Sequence, residues 1–66
     1  MIEYKVDILE ALKEKGYPTT RLRKEKLIPE STIQRIRKGN IVTLNTLDTV
    51  CDLLDMQPGD IIQHKR

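Results

Sequence analysis

The sequence predicts an all-α fold of four to five short helices, on three observations. Apolar residues recur at helical spacing in several segments, and Gly or Pro separates those segments. The chain contains no Trp and no Phe, so its core must be aliphatic and built from Leu, Ile and Val. With 66 residues the chain is expected to form one domain, residues 1–66, of modest stability.

The first two helices are defined by their apolar positions and by the residues that end them. Helix 1 is predicted over residues 5–15, because Ile8, Leu9 and Leu12 share one face and Gly16 follows as a stop. Helix 2 is predicted to begin with Pro18 in its first turn, or one residue later with Thr19 as its cap, and to run to about residue 26.

Helix 3 is predicted over about residues 30–38, because Pro29 marks its start and Gly39 follows its end. It would follow helix 2 after about three residues. Thr43 is the predicted N-cap of helix 4, whose apolar positions begin at Leu44. A helical turn is expected from Pro58, and residues 2–4 are expected to pair with residues 62–64 as a two-stranded ribbon.

Charge is strongly polarised along the chain. Residues 21–38 carry seven Lys or Arg against two Glu, a net charge of +5. Residues 39–64 carry four Asp and no Lys or Arg, so the overall +2 conceals two oppositely charged segments. This asymmetry indicates a polyanion as partner.

Several classes of function are disfavoured. One cysteine, Cys51, excludes an internal disulfide, and one histidine, His64, leaves no set of zinc ligands. Cys51 is interpreted as a core residue. We expect no enzyme activity, cofactor, metal or small-molecule ligand. Neither a membrane span nor a signal peptide is evident, so a cytoplasmic protein is expected.

The outer side of helix 3 has the composition of a DNA-reading surface. At about 100° per residue, Ile33 and Ile36 share one side of the helix. The opposite side carries residues that hydrogen-bond and are not acidic, namely Ser31, Gln34, Arg35 and Lys38. Arg suits guanine, Gln suits adenine and Ser is versatile, while Glu30 at the flank could accept from cytosine.

Leu22, Ile28, Ser31-Thr32-Ile33 and Ile36-Arg37-Lys38-Gly39 together resemble the Xre-type, or Cro/CI-like, helix-turn-helix family. Residues 43–61, with Thr46-Leu47-Asp48 and Pro58-Gly59-Asp60-Ile61, are similar to the closing half of its small bacterial and phage members. Four positions depart from the pattern: Arg23 replaces a small residue, Pro18 and Pro29 stand where relatives carry Ser or Thr caps, and Leu27 replaces the glycine of the turn, which predicts a remodelled turn.

This resemblance implies a lambda-repressor-like DNA-binding domain and a sequence-specific regulator of transcription that binds double-stranded DNA, usually as a homodimer. It implies a place in the cytoplasm of a bacterium or phage-infected host, at the nucleoid. Carried over by position, the base-reading residues are Glu30, Ser31, Gln34 and Arg35. The implied phosphate contacts are Thr19, Thr20, Lys38, Asn40, Thr43 and Asn45, and the flank position of Arg37 adds a seventh.

The alternative is a protein-interaction module, an antitoxin or antirepressor component, that retains the same helical core. Such a surface should carry apolar or aromatic anchors on the outer side of helix 3. The polar residues there favour DNA.

Overall fold

The computed structural model describes residues 1–66 and confirms the predicted helical fold class. Five helices lie between two short strands, in the order β1 (Ile2–Tyr4), α1 (Ile8–Glu14), α2 (Thr19–Lys24), α3 (Glu30–Arg37), α4 (Leu44–Leu54), α5 (Pro58–Ile61) and β2 (Ile62–His64). The two strands form one antiparallel ribbon, which confirms the predicted pairing of these segments; Ile2 lies opposite His64 and Tyr4 opposite Ile62. The ribbon brings the two ends of the chain together.

The core is aliphatic, as its composition requires, and contains no buried polar or charged side chain. It draws on every helix and on the connection between α2 and α3, where Ile28 is 1% exposed. The ten buried residues are Ile8, Leu12, Leu22, Ile28, Ile33, Ile36, Leu47, Val50, Leu54 and Ile61. Burial of Ile33 and Ile36 fixes which side of α3 faces inward and leaves the other side to solvent.

Side-chain caps set the start of two helices. The Thr43 hydroxyl accepts a hydrogen bond from the Thr46 amide at 3.2 Å, which confirms Thr43 as the N-cap of α4. The Asp7 carboxylate accepts from the Glu10 amide at 3.2 Å and begins α1. The prediction that helix 1 starts at Lys5 is therefore wrong, since the Lys5 amide donates instead to the Ile61 carbonyl at 2.7 Å and extends the ribbon contact.

Four helices end in the same motif, in which a left-handed residue follows the last turn; in α4 that residue is Asp55, with φ 55°. In α1 and α3 that residue is glycine: Gly16 with φ 91° and Gly39 with φ 80°. In α2 it is Lys26, with φ 55°, and the Leu27 amide donates to the Leu22 carbonyl at 3.0 Å. A left-handed lysine costs roughly 1–2 kcal/mol, which the buried Leu22 and Ile28 on either side of the turn offset.

In the turn between α2 and α3 the left-handed position is Lys26 rather than Leu27. Helix α2 ends at Lys24, two residues before the predicted end, and its C-cap is Glu25. The connection to α3 spans residues 25–29 and is longer than predicted. Helix α3 begins at Glu30 as predicted and ends at Arg37, with Lys38 as its C-cap.

Neither proline-led helix start has a side-chain cap. Pro18 and Pro29 occupy the N-cap positions of α2 and α3, so both alternatives for the start of helix 2 are wrong: Pro18 precedes the first turn, and Thr19 is the first helical residue rather than the cap. Proline cannot accept a hydrogen bond through its side chain, and the first amides of both helices are left open.

Candidate nucleic-acid interface

The basic segment keeps most of its positive charge unpaired in the folded protein. Its two acidic residues are each held by an arginine: Glu25 by Arg21, at 2.5 Å within α2, and Glu30 by Arg23. The remaining cations form no ion pair with a carboxylate; they are Lys24, Lys26, Arg35, Arg37 and Lys38. The positive charge predicted from the sequence is therefore available to an external anion.

The outer side of α3 is polar, as the helical spacing predicts. Ser31, Arg35 and Lys38 are exposed and Gln34 is half-buried, whereas Ile33 is fully buried. The side chains on this side present hydroxyl, amide, guanidinium and ammonium groups. No apolar anchor of the kind that a protein interface needs stands among them.

The Glu30 carboxylate, at the start of α3, accepts hydrogen bonds from Arg23 of α2 and from Gln34 of its own helix. Arg23 donates through Nε and Nη2 to the two carboxylate oxygens of Glu30, the latter at 3.1 Å. Gln34 Nε2 donates to Glu30 Oε1 at 2.9 Å. These contacts lower the pKa of Glu30, Arg23 contributing most and Gln34 next, so the carboxylate is ionised at neutral pH.

Arg35 is tied to the loop that follows α3. Its Nη2 donates to the Ile41 carbonyl at 2.7 Å. The Tyr4 hydroxyl of the ribbon donates to the neighbouring Asn40 carbonyl at 2.6 Å. Burial raises the pKa of Tyr4 despite the opposing effect of Arg35, which keeps the phenol protonated and able to donate. Through Tyr4, the ribbon is therefore hydrogen-bonded to the same loop, residues 40–41, that accepts a hydrogen bond from Arg35.

A groove of about 640 Å³ brings together several predicted phosphate contacts. Thr19 and Thr20, at the open start of α2, line it together with Arg37 of α3. Lys13 of α1 also lines this groove, and the sequence analysis did not single it out. Asp7 and Glu10 line the groove too, so its two cations stand beside two carboxylates.

The other predicted phosphate contacts lie beyond α3 and at the start of α4. The exposed Lys38 caps α3, and the exposed Asn40 follows one residue after Gly39. The Thr43 hydroxyl is engaged with Thr46 as a cap. Asn45 lines a cleft with Pro29, so α4 begins beside the start of α3.

The sequence analysis also missed the role of Arg23. Arg23 was treated only as a departure from the family pattern, whereas in the structure its ion pair with Glu30 connects α2 to α3. The opposite charges of Arg23 and Glu30 on either side of the helix-turn-helix connection were the signal that could have identified the pair.

The remaining reactive side chains form no second site. Cys51 is half-buried against the core, and burial, followed by the nearby Asp48 and Asp52, raises the pKa of its thiol. His64 is exposed on β2. Nowhere do three His, Cys, Asp or Glu side chains converge as a metal ion would require. The longest helix, α4, has 11 residues, and none has the length and apolarity needed to cross a membrane.

Comparison with known proteins identifies the fold. Neither the curated proteins nor the solved structures contain a significant match to the chain. A family model described as the Cro/C1-type HTH DNA-binding domain matches residues 7–66, which leaves out only the first six residues, β1 among them. The matched region includes α2, α3 and all the predicted site residues, and on this basis the chain belongs to the Cro/C1-type helix-turn-helix family of DNA-binding domains.

Proposed function

We propose that this protein is a sequence-specific regulator of transcription that inserts α3 into the major groove of double-stranded DNA. The observation that carries the proposal is the outer side of α3, where Ser31, Gln34 and Arg35 present hydrogen-bonding groups beside unpaired cations. A major groove accepts one α-helix, and each base pair presents a distinct pattern of donors and acceptors there.

Base reading falls to residues in the first two turns of α3. Arg35 has five N–H donors and uses one of them on the Ile41 carbonyl, which leaves enough for a forked contact to guanine. Gln34 suits adenine, and Ser31 stands one turn before Arg35. Glu30, the fourth residue predicted to read bases, already has its carboxylate engaged by Arg23 and Gln34.

Phosphate contacts are proposed for two groups of residues. Thr19 and Thr20, at the start of α2, line one groove with Arg37, and the start of a helix favours a phosphate. In the second group, Lys38 and Asn40 follow α3, and Thr43 and Asn45 lie at the start of α4. Contacts to phosphate position the protein without selecting a sequence.

The proposal includes a homodimer on DNA, because one α3 reads too few base pairs to select a site and paired half-sites lie about one helical turn apart. The terminal ribbon is the proposed contact, since it carries the exposed Met1 and Ile2 at 79% and 40%. We further propose a cytoplasmic, non-enzymatic protein that needs no cofactor or small-molecule ligand.

Selection from a random duplex library tests this function. The protein is separated by size exclusion with and without the DNA, and the bound fraction is sequenced. A paired, enriched half-site that comigrates with a protein dimer is the expected result. Binding without enrichment would contradict sequence specificity. No binding even at low salt would refute the function and would favour the alternative of a protein-interaction module.

A further inference from the structure

A cluster of three polar side chains, Arg23 of α2 with Glu30 and Gln34 of α3, joins the two helices of the helix-turn-helix. Arg23 spans the helix-turn-helix connection and binds both oxygens of the Glu30 carboxylate. Glu30 Oε1 then accepts from Gln34 Nε2 at 2.9 Å, one helical turn further on. The ion pair between Arg23 and Glu30 is thus hydrogen-bonded to Gln34, a side chain on the outer side of α3.

In the hydrogen bond between Gln34 and Glu30, the glutamine amide must be the donor. An ionised carboxylate can only accept hydrogen bonds, so the amide of Gln34 must turn its NH₂ group toward Glu30. The Glu30 carboxylate is ionised at neutral pH because Arg23 and Gln34 both stabilise its charged form. The Gln34 amide therefore has one orientation, with its carbonyl oxygen and its second N–H left for another partner.

One oxygen acceptor beside one N–H donor is the pair that adenine matches in the major groove. Adenine N6 donates and adenine N7 accepts, and a glutamine amide held in a single orientation meets both at once. Holding the amide in advance also reduces the side-chain entropy lost on binding.

We propose that Arg23 and Glu30 are positioning residues that hold Gln34 for adenine, and that Glu30 itself reads no base. This inference rests on the proposed function, because it names how one of its base contacts is prepared. Arg23 also neutralises the charge of Glu30, which would otherwise oppose nearby phosphates.

The experiment compares site preference over a library of duplexes that vary one base pair at a time. It uses the wild-type protein, Gln34→Ala, Arg23→Gln and Glu30→Gln. Lys24→Gln is the matched control. Lys24 follows Arg23 on α2 and forms no ion pair, so this substitution removes one positive charge without breaking the contact to Glu30. Circular dichroism shows whether each variant remains folded.

Gln34→Ala should lower the preference for adenine at one base pair by on the order of tenfold. Arg23→Gln should lower it several-fold at the same base pair, and adding Arg23→Gln to Gln34→Ala should change that base pair no further. Lys24→Gln should weaken binding evenly over all sequences.

Three outcomes overturn the inference while leaving the proposed function intact. In the first, wild-type protein is selective but Arg23→Gln leaves the adenine preference unchanged. In the second, Arg23→Gln changes a base pair other than the one Gln34→Ala changes. In the third, Glu30→Gln alters its own, separate base pair, which would make Glu30 a reader. Failure of the wild-type protein to select any sequence would instead refute the proposed function.

Discussion

Replacing Arg35 with Ala should weaken binding to the best site by about 1–3 kcal/mol per half-site and relax the preference at one base pair. Arg35 is exposed on the outer side of α3, and the only hydrogen bond of its side chain joins Nη2 to the Ile41 carbonyl at 2.7 Å. Because the guanidinium has four further N–H donors, a forked contact to guanine does not require that bond to break.

The effect of Arg35→Ala on folding should be small. The lost bond to Ile41 contributes about 0.5–1.5 kcal/mol, and Ile41 is itself 41% exposed, so water can replace the arginine at its carbonyl. Circular dichroism and denaturant unfolding should therefore show a folded variant. A loss of DNA affinity by a variant that remains folded is then due to the missing contact between Arg35 and DNA.

Arg37→Ala is the matched control, because Arg37 belongs to the same helix but lines the groove beside Thr19 and Thr20. Fluorescence anisotropy over a site library should show an even loss of affinity for Arg37→Ala and a sequence-dependent loss for Arg35→Ala. If Arg37→Ala altered base preference and Arg35→Ala did not, α3 would enter the groove in a different rotation and the reasoning would fail.

Three further predictions concern charge, the ribbon and pH. Lys38→Ala should reduce affinity evenly for all sequences and make the slope of log K against log salt shallower by about 0.9 per protomer, whereas a changed site preference would make Lys38 a base reader. Tyr4→Phe removes the donor to the Asn40 carbonyl and should lower the free energy of unfolding by about 1 kcal/mol in urea titrations, and no change would mean that the ribbon does not hold this loop. The pKa of Glu30 is lowered in the fold, so its contribution to stability is complete above its unfolded pKa and is lost as pH falls through the folded pKa. The stability difference between wild-type protein and Arg23→Gln should therefore shrink on acidification, and a constant difference would contradict the ion pair.

Much of the fold follows from local sequence rules. Thr43 as a cap, Pro29 before α3 and Ile33 with Ile36 on the inner side are each determined within one or two helical turns. The pairing of residues 2–4 with residues 62–64 was also predicted, because both are short, partly β-branched segments at opposite ends of the chain, whereas its antiparallel register was not.

The features that were not predicted depend on tertiary contacts, which local sequence rules do not determine. Lys5 fits a helical pattern, but its amide pairs with Ile61, more than fifty residues away. Lys26 takes the left-handed conformation because the buried Leu22 and Ile28 fix both sides of the turn. Arg23 could have pointed to solvent, and only the placement of α2 against the start of α3 brings it to Glu30.

Methylation interference on a selected site shows whether α3 reads bases from the major groove. Dimethyl sulfate modifies guanine N7 in the major groove and adenine N3 in the minor groove, so one reaction compares the two grooves. We predict that methylation at guanine N7 within each half-site blocks binding, and that Arg35→Ala removes this sensitivity at one guanine. Interference confined to adenine N3 would place the protein in the minor groove and would contradict the account.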